Sequence, residues 1–244
     1  MFEAEVKSEV LKEAVSVIST LVNEAKFRIS GEGLSVMAVD GSHIAMIDLS
    51  LSSKAFETFK ADEMDMGINL EKLKTALKHA KSDEIIHMKY DAERNILELK
   101  LDAIEMTMAL LDTSSMTEPK VPSLEHKAKI VVARSLLDRG LKAATDVADY
   151  VEFKVTPEEF IVHAEGESDT MAMHLKKEQL DDLFCEEEVS SKYSLEYITS
   201  IIKAMSSEAL TIHLSTDYPV KIEFDVAQGN GHALYMLAPR VDNY

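Results

Sequence analysis

Tryptophan is absent from the 244 residues, cysteine occurs once and proline only five times. The single thiol, Cys185, excludes an internal disulfide framework and fits a reducing cytosol. No run of about 18 apolar residues occurs, so neither a membrane-spanning helix nor a membrane partner is expected. The opening MFEAEVKSEV is charged from its third residue, which argues against a signal peptide. The sequence also lacks a G-x-G-x-x-G turn, a Walker loop, an H-E-x-x-H pair and a G-x-S-x-G elbow. No catalytic residue, cofactor or metal is assigned. Positive charge is scarce: 26 Lys and Arg face 44 Asp and Glu, a net charge of −18. Such a surface repels phosphate, so any nucleic-acid role needs its cations gathered on one face.

The remaining reactive residues do not form catalytic or metal constellations. Ser42 and His43 sit beside Asp40, but neighbours within one turn do not hold triad geometry. His163, His174 and His213 fall in separate expected strands without ligand spacing. Asp62, Glu63 and Asp65 lack calcium-loop spacing and read as a solvated loop. Cys185 has no basic neighbour in sequence to activate it. The 13 methionines suit core and interface filling.

Two of the five prolines, Pro119 and Pro122, lie in Asp112–Lys127, near the middle of the chain. This stretch has little periodicity and reads as an extended connector. The segments on either side repeat one pattern. Leu34–Leu49 and Phe160–Leu175 both read strand, polar turn, strand, 126 residues apart. NLEKLKTALKHAKS from Asn69 and SLEYITSIIKAMSS from Ser194 align at 125, placing Lys78 with Lys203. Val10, Leu11, Val15 and Ile18 meet Leu136, Leu137, Leu141 and Ala144 at 126. The chain therefore reads as α+β with two tandem domains, 1–111 and 128–244, joined by 112–127.

Apolar periodicity predicts helices over Glu9–Val22 (capped by Ser8), from Asn69 to about Lys81, over Ser135–Val147 and over Leu195–Met205. Alternating segments predict many antiparallel strands around them, with Glu186–Glu188 as a solvated acidic turn. Each helix buries one stripe and presents another. In three helices the presented stripe is basic: Lys74, Lys78 and Lys81; Arg139 and Lys142; Lys203. Helices lining one concave surface would attract a polyanion without reading its sequence.

Several stretches carry a family resemblance. They are MFEAEV at the start, Met37–Ile44, Met66–Leu70, Val121-Pro122, Asp217–Val220 and the ending Tyr235-Met236-Leu237-Ala238-Pro239-Arg240. With them the chain resembles, nearly end to end, sliding clamps of the proliferating-cell-nuclear-antigen type, specifically the archaeal members. The resemblance implies two clamp-fold domains with sheets outside and helices inside. A homotrimer would close head to tail around double-stranded DNA in the cytoplasm of an archaeal cell, at its nucleoid. It would tether DNA polymerase, flap endonuclease and DNA ligase through short peptide motifs, and a clamp loader would open it. The alternative is one subunit of a heterotrimeric repair or checkpoint ring.

Carried onto this sequence, the DNA-facing set is Lys12, Lys74, Lys78, Lys81, Arg139, Lys142 and Lys203. The partner-peptide pocket is His43, Ile44, Val121, Pro122, Pro219, Met236, Leu237 and Ala238. The subunit edges use Ile104, Met106 and Met108 on one side and Met171, Met173 and Leu175 on the other. Two departures stand out. Met236 occupies a place where many relatives carry an aromatic. The first helix shows Glu13, Ser16 and Ser19 where relatives are often more basic, so DNA contact leans on the other three helices.

Overall fold

The computed structural model describes residues 1–114, 116 and 119–240. Ser115, Thr117 and Glu118 of the expected connector, and the last four positions of the expected second domain, lie outside the described residues. Among the described residues the chain gathers into two compact units: Met1–Val121 with Asp225–Ala233, and Pro122–Phe224 with residues 234–240. One order of elements occurs twice: strand, helix, five strands, helix, three strands.

The first copy is β1 (Phe2–Lys7), α1 (Ser8–Ile18), β2 (Glu24–Ser30), β3 (Gly33–Val39), β4 (Ala45–Ser52), β5 (Thr58–Ala61), β6 (Met64–Asn69), α2 (Leu70–Leu77), β7 (Ile85–Asp91), β8 (Ile96–Leu101) and β9 (Ile104–Ala109). The second is β10 (Ala128–Ala133), α3 (Arg134–Thr145), β11 (Tyr150–Val155), β12 (Glu159–Glu165), β13 (Thr170–Lys176), β14 (Asp182–Cys185), β15 (Val189–Ser194), α4 (Leu195–Ala204), β16 (Ala209–Leu214), β17 (Val220–Val226) and β18 (Gly231–Leu237). The first unit orders its strands β5-β1-β7-β8-β9 and β6-β2-β3-β4; the second orders them β14-β10-β16-β17 and β13-β12-β11-β15. Strand pairs such as β8–β9 and β12–β13 are antiparallel.

Alternation places these strands. In β1, Phe2, Ala4 and Val6 point inward, while Glu3 and Lys7 stay exposed. In α1, Val10, Leu11, Ala14, Val15 and Ile18 form the buried stripe. Each fully buried Leu or Ile contributes about 1.5–3 kcal/mol relative to exposure. α1 packs beside α2, and α3 beside α4.

The structure corrects both ends of α1. Ser8 is not its cap. It is fully buried as the first helical residue, and its hydroxyl donates to the carbonyls of Lys81 and Ser82, the latter at 2.9 Å. The helix stops at Ile18 rather than Val22. Ser19 Oγ donates to the Val15 carbonyl at 2.6 Å and Thr20 Oγ1 to that of Val17 at 2.7 Å, a local exit that short hydroxyl side chains offer.

α2 is also shorter than its apolar pattern predicts. It ends at Leu77, with Lys78 as its cap. Lys81 therefore lies in the following turn, where its N–H donates to Glu84 Oε2 at 2.8 Å. Lys81 does not continue the helical face of Lys74 and Lys78.

The acidic turn at Glu186–Glu188 is flanked by two strands, β14 and β15. β15 alternates Val189, Ser191 and Tyr193 inward, and the buried serine hides the pattern. Asp225–Ala233 joins the first unit although the sequence places it in the second domain. Its turn is held there by Glu13 Oε2, which accepts from the Ala227 N–H at 3.0 Å, and by the Ser52 N–H, which donates to the Asn230 carbonyl at 2.9 Å.

Asn69 does cap α2: its Oδ1 accepts from the Lys72 N–H at 2.9 Å. Replacing Asn69 by alanine should lower stability by about 1 kcal/mol, while aspartate should retain it. Thermal denaturation of the two variants checks this; equal midpoints would show that the cap contributes nothing.

Candidate functional site

Cations collect at the C-terminal ends of the helices. Lys74, Lys142 and Lys203 stand in the last turns of α2, α3 and α4, where positive charge meets the negative end of the helix dipole. Lys78 follows at the α2 cap. Alone among the four helices, α1 has no basic residue in its last turn. Lys12, Lys74 and Lys78 surround a cleft between α1 and α2, floored by Val15 and Leu77. Lys12 Nζ donates to the Ala80 carbonyl at 2.6 Å, which ties it to the end of the α2 segment. Arg139 and Lys203 are exposed; Lys142 is exposed too, but Asp138 sits 2.6 Å from its Nζ, one helical turn back. In the first unit the structure thus groups Lys12 with Lys74 and Lys78, and moves Lys81 to the adjoining turn.

The Asp40–Ala45 turn shows why its Ser, His and Asp do no chemistry together. Asp40 is buried, and its carboxylate accepts three backbone bonds: Ser42 N–H at 2.9 Å, Ile44 N–H at 2.8 Å and Ala45 N–H at 2.7 Å. His43 occupies the left-handed region at φ 58°. The carboxylate is consumed in shaping a turn that leaves Ile44 39% exposed. Of the other expected pocket residues, Val121 belongs to the first unit and is exposed. Pro122, Pro219, Met236, Leu237 and Ala238 belong to the second. There Met236 and Leu237 are buried, at 5% and 1% exposure, while Pro122 is exposed.

Cys185 is equally unsuited to nucleophilic work. Burial pushes its thiol pKa up, and Sγ lies 2.9 Å from the Glu187 carbonyl. Asp65 answers Lys26 at 3.7 Å and Arg28 at 3.9 Å. Among the described residues no cluster of His, Cys, Asp and Glu has metal-site geometry, and no helix is long and apolar enough to cross a membrane.

β9 and β13 are edge strands of their sheets. Met108 and Leu175 are buried in their own units, so they present little outward. Ile104 is 44% exposed, and Met106, Met171 and Met173 are half-buried. Met173 lies against Gly140 of α3, where any Cβ would collide with it.

Comparison with known proteins identifies the family and the fold. The family model for the N-terminal domain of proliferating cell nuclear antigen matches residues 1–115, and that for the C-terminal domain matches 120–240. The chain belongs to the proliferating cell nuclear antigen family. The DNA polymerase sliding clamps of Methanocella arvoryzae and Natronomonas pharaonis are each 39% identical to it, with 100% of both chains covered. The A. fulgidus PCNA, solved with the C-terminal region of FEN-1, superposes with a TM-score of 0.94 at 29% identity, covering 100% of both chains. That of Thermococcus kodakaraensis gives 0.91 at 26% identity, covering 98% of this chain and 100% of the other. The family fold, one domain model matched by each half of the chain, accounts for the doubled element order.

Asp40 gives a direct test of the turn in this PCNA-family chain. Asp40→Ala leaves three N–H groups without their acceptor and should cost roughly 2–3 kcal/mol. Hydrogen exchange at Ala45 should rise with the loss. A variant with unchanged stability and protection would show that water replaces the carboxylate at no cost.

Proposed function

We propose that this chain is a DNA sliding clamp whose copies close head to tail into a homotrimeric ring around duplex DNA. The observation that carries the reading is full-length similarity to archaeal DNA polymerase sliding clamps, joined to one apolar edge strand in each unit. Lys12, Lys74, Lys78, Lys81, Arg139, Lys142 and Lys203 face the duplex and touch phosphates weakly, so the ring slides. The acidic remainder keeps DNA off the outer surface. His43, Ile44, Val121, Pro122, Pro219, Met236, Leu237 and Ala238 receive a short partner peptide. The A. fulgidus PCNA bound to the FEN-1 C-terminal region supports a flap endonuclease as one partner. DNA polymerase, DNA ligase and the clamp loader are proposed to use the same kind of motif. Threaded on DNA, the ring resides at the nucleoid. It works by raising the effective concentration of tethered enzymes, not by chemistry of its own.

Backbone geometry restricts how two copies meet. The Leu110 N–H is bonded to the Asn95 carbonyl at 3.1 Å, so even-numbered residues of β9 face β8, and Glu105, Thr107 and Ala109 turn their N–H and C=O outward. The Lys177 N–H is bonded to the Glu158 carbonyl at 2.9 Å, so in β13 the even-numbered residues face outward. An antiparallel pairing must oppose outward residues to outward residues. Only one such register keeps all 6 residues of β9 within β13: Thr107 opposite Ala172. It sets Ile104 against Leu175, Met106 against Met173 and Met108 against Met171 on the core face. On the other face it sets Glu105 against His174.

Two experiments test the reading. In a Cys185→Ser background, Thr107→Cys with Ala172→Cys should form a covalent species at three times the 27.2 kDa chain mass, and more readily than Thr107→Cys with Thr170→Cys or His174→Cys. Preference for either control pair would reject the register, and a monomer by light scattering at every concentration would reject the self-closing ring. Replacing Lys78, Lys81, Arg139, Lys142 and Lys203 together by alanine should leave the fold intact and weaken DNA association. The slope of log affinity against log salt should fall by about 0.9 for each phosphate no longer neutralised. Unchanged loading and processivity on primed circular DNA would count against a basic lining.

A further inference from the structure

Beyond β18 the chain is fastened within the second unit at Arg240. Pro239 has no N–H, so Arg240 supplies the first amide donor after Ala238. That N–H donates to the Lys192 carbonyl of β15 at 2.8 Å. The Arg240 guanidinium carbon stands 3.8 Å from the centroid of the Tyr150 ring, at the start of β11. A guanidinium over an aromatic face is attracted by the ring quadrupole, so this contact needs the ring and not the hydroxyl.

β15 can hold the tail because it ends its sheet. The Leu195 N–H donates to the Asp149 carbonyl at 2.9 Å, so odd-numbered residues of β15 turn their N–H and C=O toward β11 and even-numbered ones turn theirs away. Ser190 and Lys192 thus present their carbonyls outside the sheet. The Ser190 carbonyl accepts from the Asp217 N–H at 3.2 Å, and the Tyr193 hydroxyl donates to the Tyr218 carbonyl at 2.6 Å. One strand therefore fastens two separate segments: the turn that leads into Pro219 and the tail that follows Ala238. The turn is also tied down on both sides, by β16 and β17. Among the described residues no strand follows the tail, and Ala238 and Pro239 are only half-buried. Its course depends on what restrains Arg240.

We propose that Tyr150 is a positioning residue for partner binding: its ring clamps Arg240, and the clamp holds the chain at Ala238 in the course that a partner peptide meets. The inference rests on the proposed pocket, because Pro219, Met236, Leu237 and Ala238 are assigned to it. A tail already ordered in the free chain spares the partner the entropy of ordering it on binding. Loss of the clamp therefore weakens binding by no more than the clamp's own strength. Tyr150 is 37% exposed, and a cation–π pair at an exposed site corresponds to about two- to fivefold.

The probe is a synthetic peptide of the FEN-1 C-terminal region, the segment held by the A. fulgidus PCNA. Its affinity for the full chain is measured by fluorescence anisotropy. Tyr150→Ser should weaken binding about two- to fivefold, and Tyr150→Phe, which keeps the ring, should bind like wild type. Arg240→Gln keeps the backbone bond to Lys192 and should cost as much as Tyr150→Ser. The double variant should cost no more than either alone, because both changes remove one contact. Arg240 lies outside the strands, so its variant tests the clamp even where Tyr150→Ser lowers the thermal midpoint. Unchanged affinity in Tyr150→Ser or Arg240→Gln, an equal loss in Tyr150→Phe, or losses that add in the double variant overturns the proposal. Those outcomes leave the pocket reading standing. If the peptide does not bind the wild-type chain at all, the pocket reading fails and takes the proposal with it.

Discussion

Two of the sheets end in strands whose outward N–H and C=O groups find no partner within their own sheet, and much of this protein's design follows from that. β9 and β13 are 6 and 7 residues long and carry exposed or half-buried Ile104, Met106, Met171 and Met173. A long apolar edge is an aggregation hazard unless something covers it. The edges at β5 and β14 are treated differently: each is 4 residues, and β14 is followed by Glu186–Glu188. Short, charged edges discourage pairing, whereas long apolar ones invite it. One inviting edge in each unit suits head-to-tail association, in which one edge meets a different edge and a closed ring leaves none uncovered.

Charge follows a complementary logic. A chain with a net charge of −18 can attract DNA only where its lysines and arginines are set apart. The ends of three helices gather lysines, which the helix dipole favours on grounds of stability alone. α1 is the exception, and the structure supplies a reason. Its Glu13 accepts from the Ala227 N–H, in a turn where Ala227, Gln228 and Gly229 are all left-handed at φ 52°, 55° and 87°. A lysine at that position could not accept this bond. At this position the helix carries an acceptor for the left-handed turn in place of a cation.

Much of the fold was legible in the residues. The doubled pattern, the antiparallel strands, the four amphipathic helices and the Asn69 cap all follow from periodicity and short-range hydrogen bonding. Local patterns of this kind survive folding because the same side chains that set the period also fill the core. Lys74 and Lys78 on α2 were legible for the same reason, since a helix converts spacing into a face, whereas Lys81 fell beyond the helix end.

What the sequence could not decide involved partners far along the chain. Ser8 looks like a helix cap, yet its hydroxyl reaches carbonyls more than seventy residues away, at Lys81 and Ser82. That contact belongs to the turn that carries Lys81 off the helical face. β15 hides its inward row because Ser191 is buried within it. Asp225–Ala233 joins the first unit through Glu13 and Ser52, which no local signal announces. Composition and periodicity by themselves determined two α+β repeats with segregated charge. Only tertiary contacts decided where each helix stops, which lysines share a cleft and which unit claims the late turn, because those choices depend on hydrogen bonds between residues that meet only after folding.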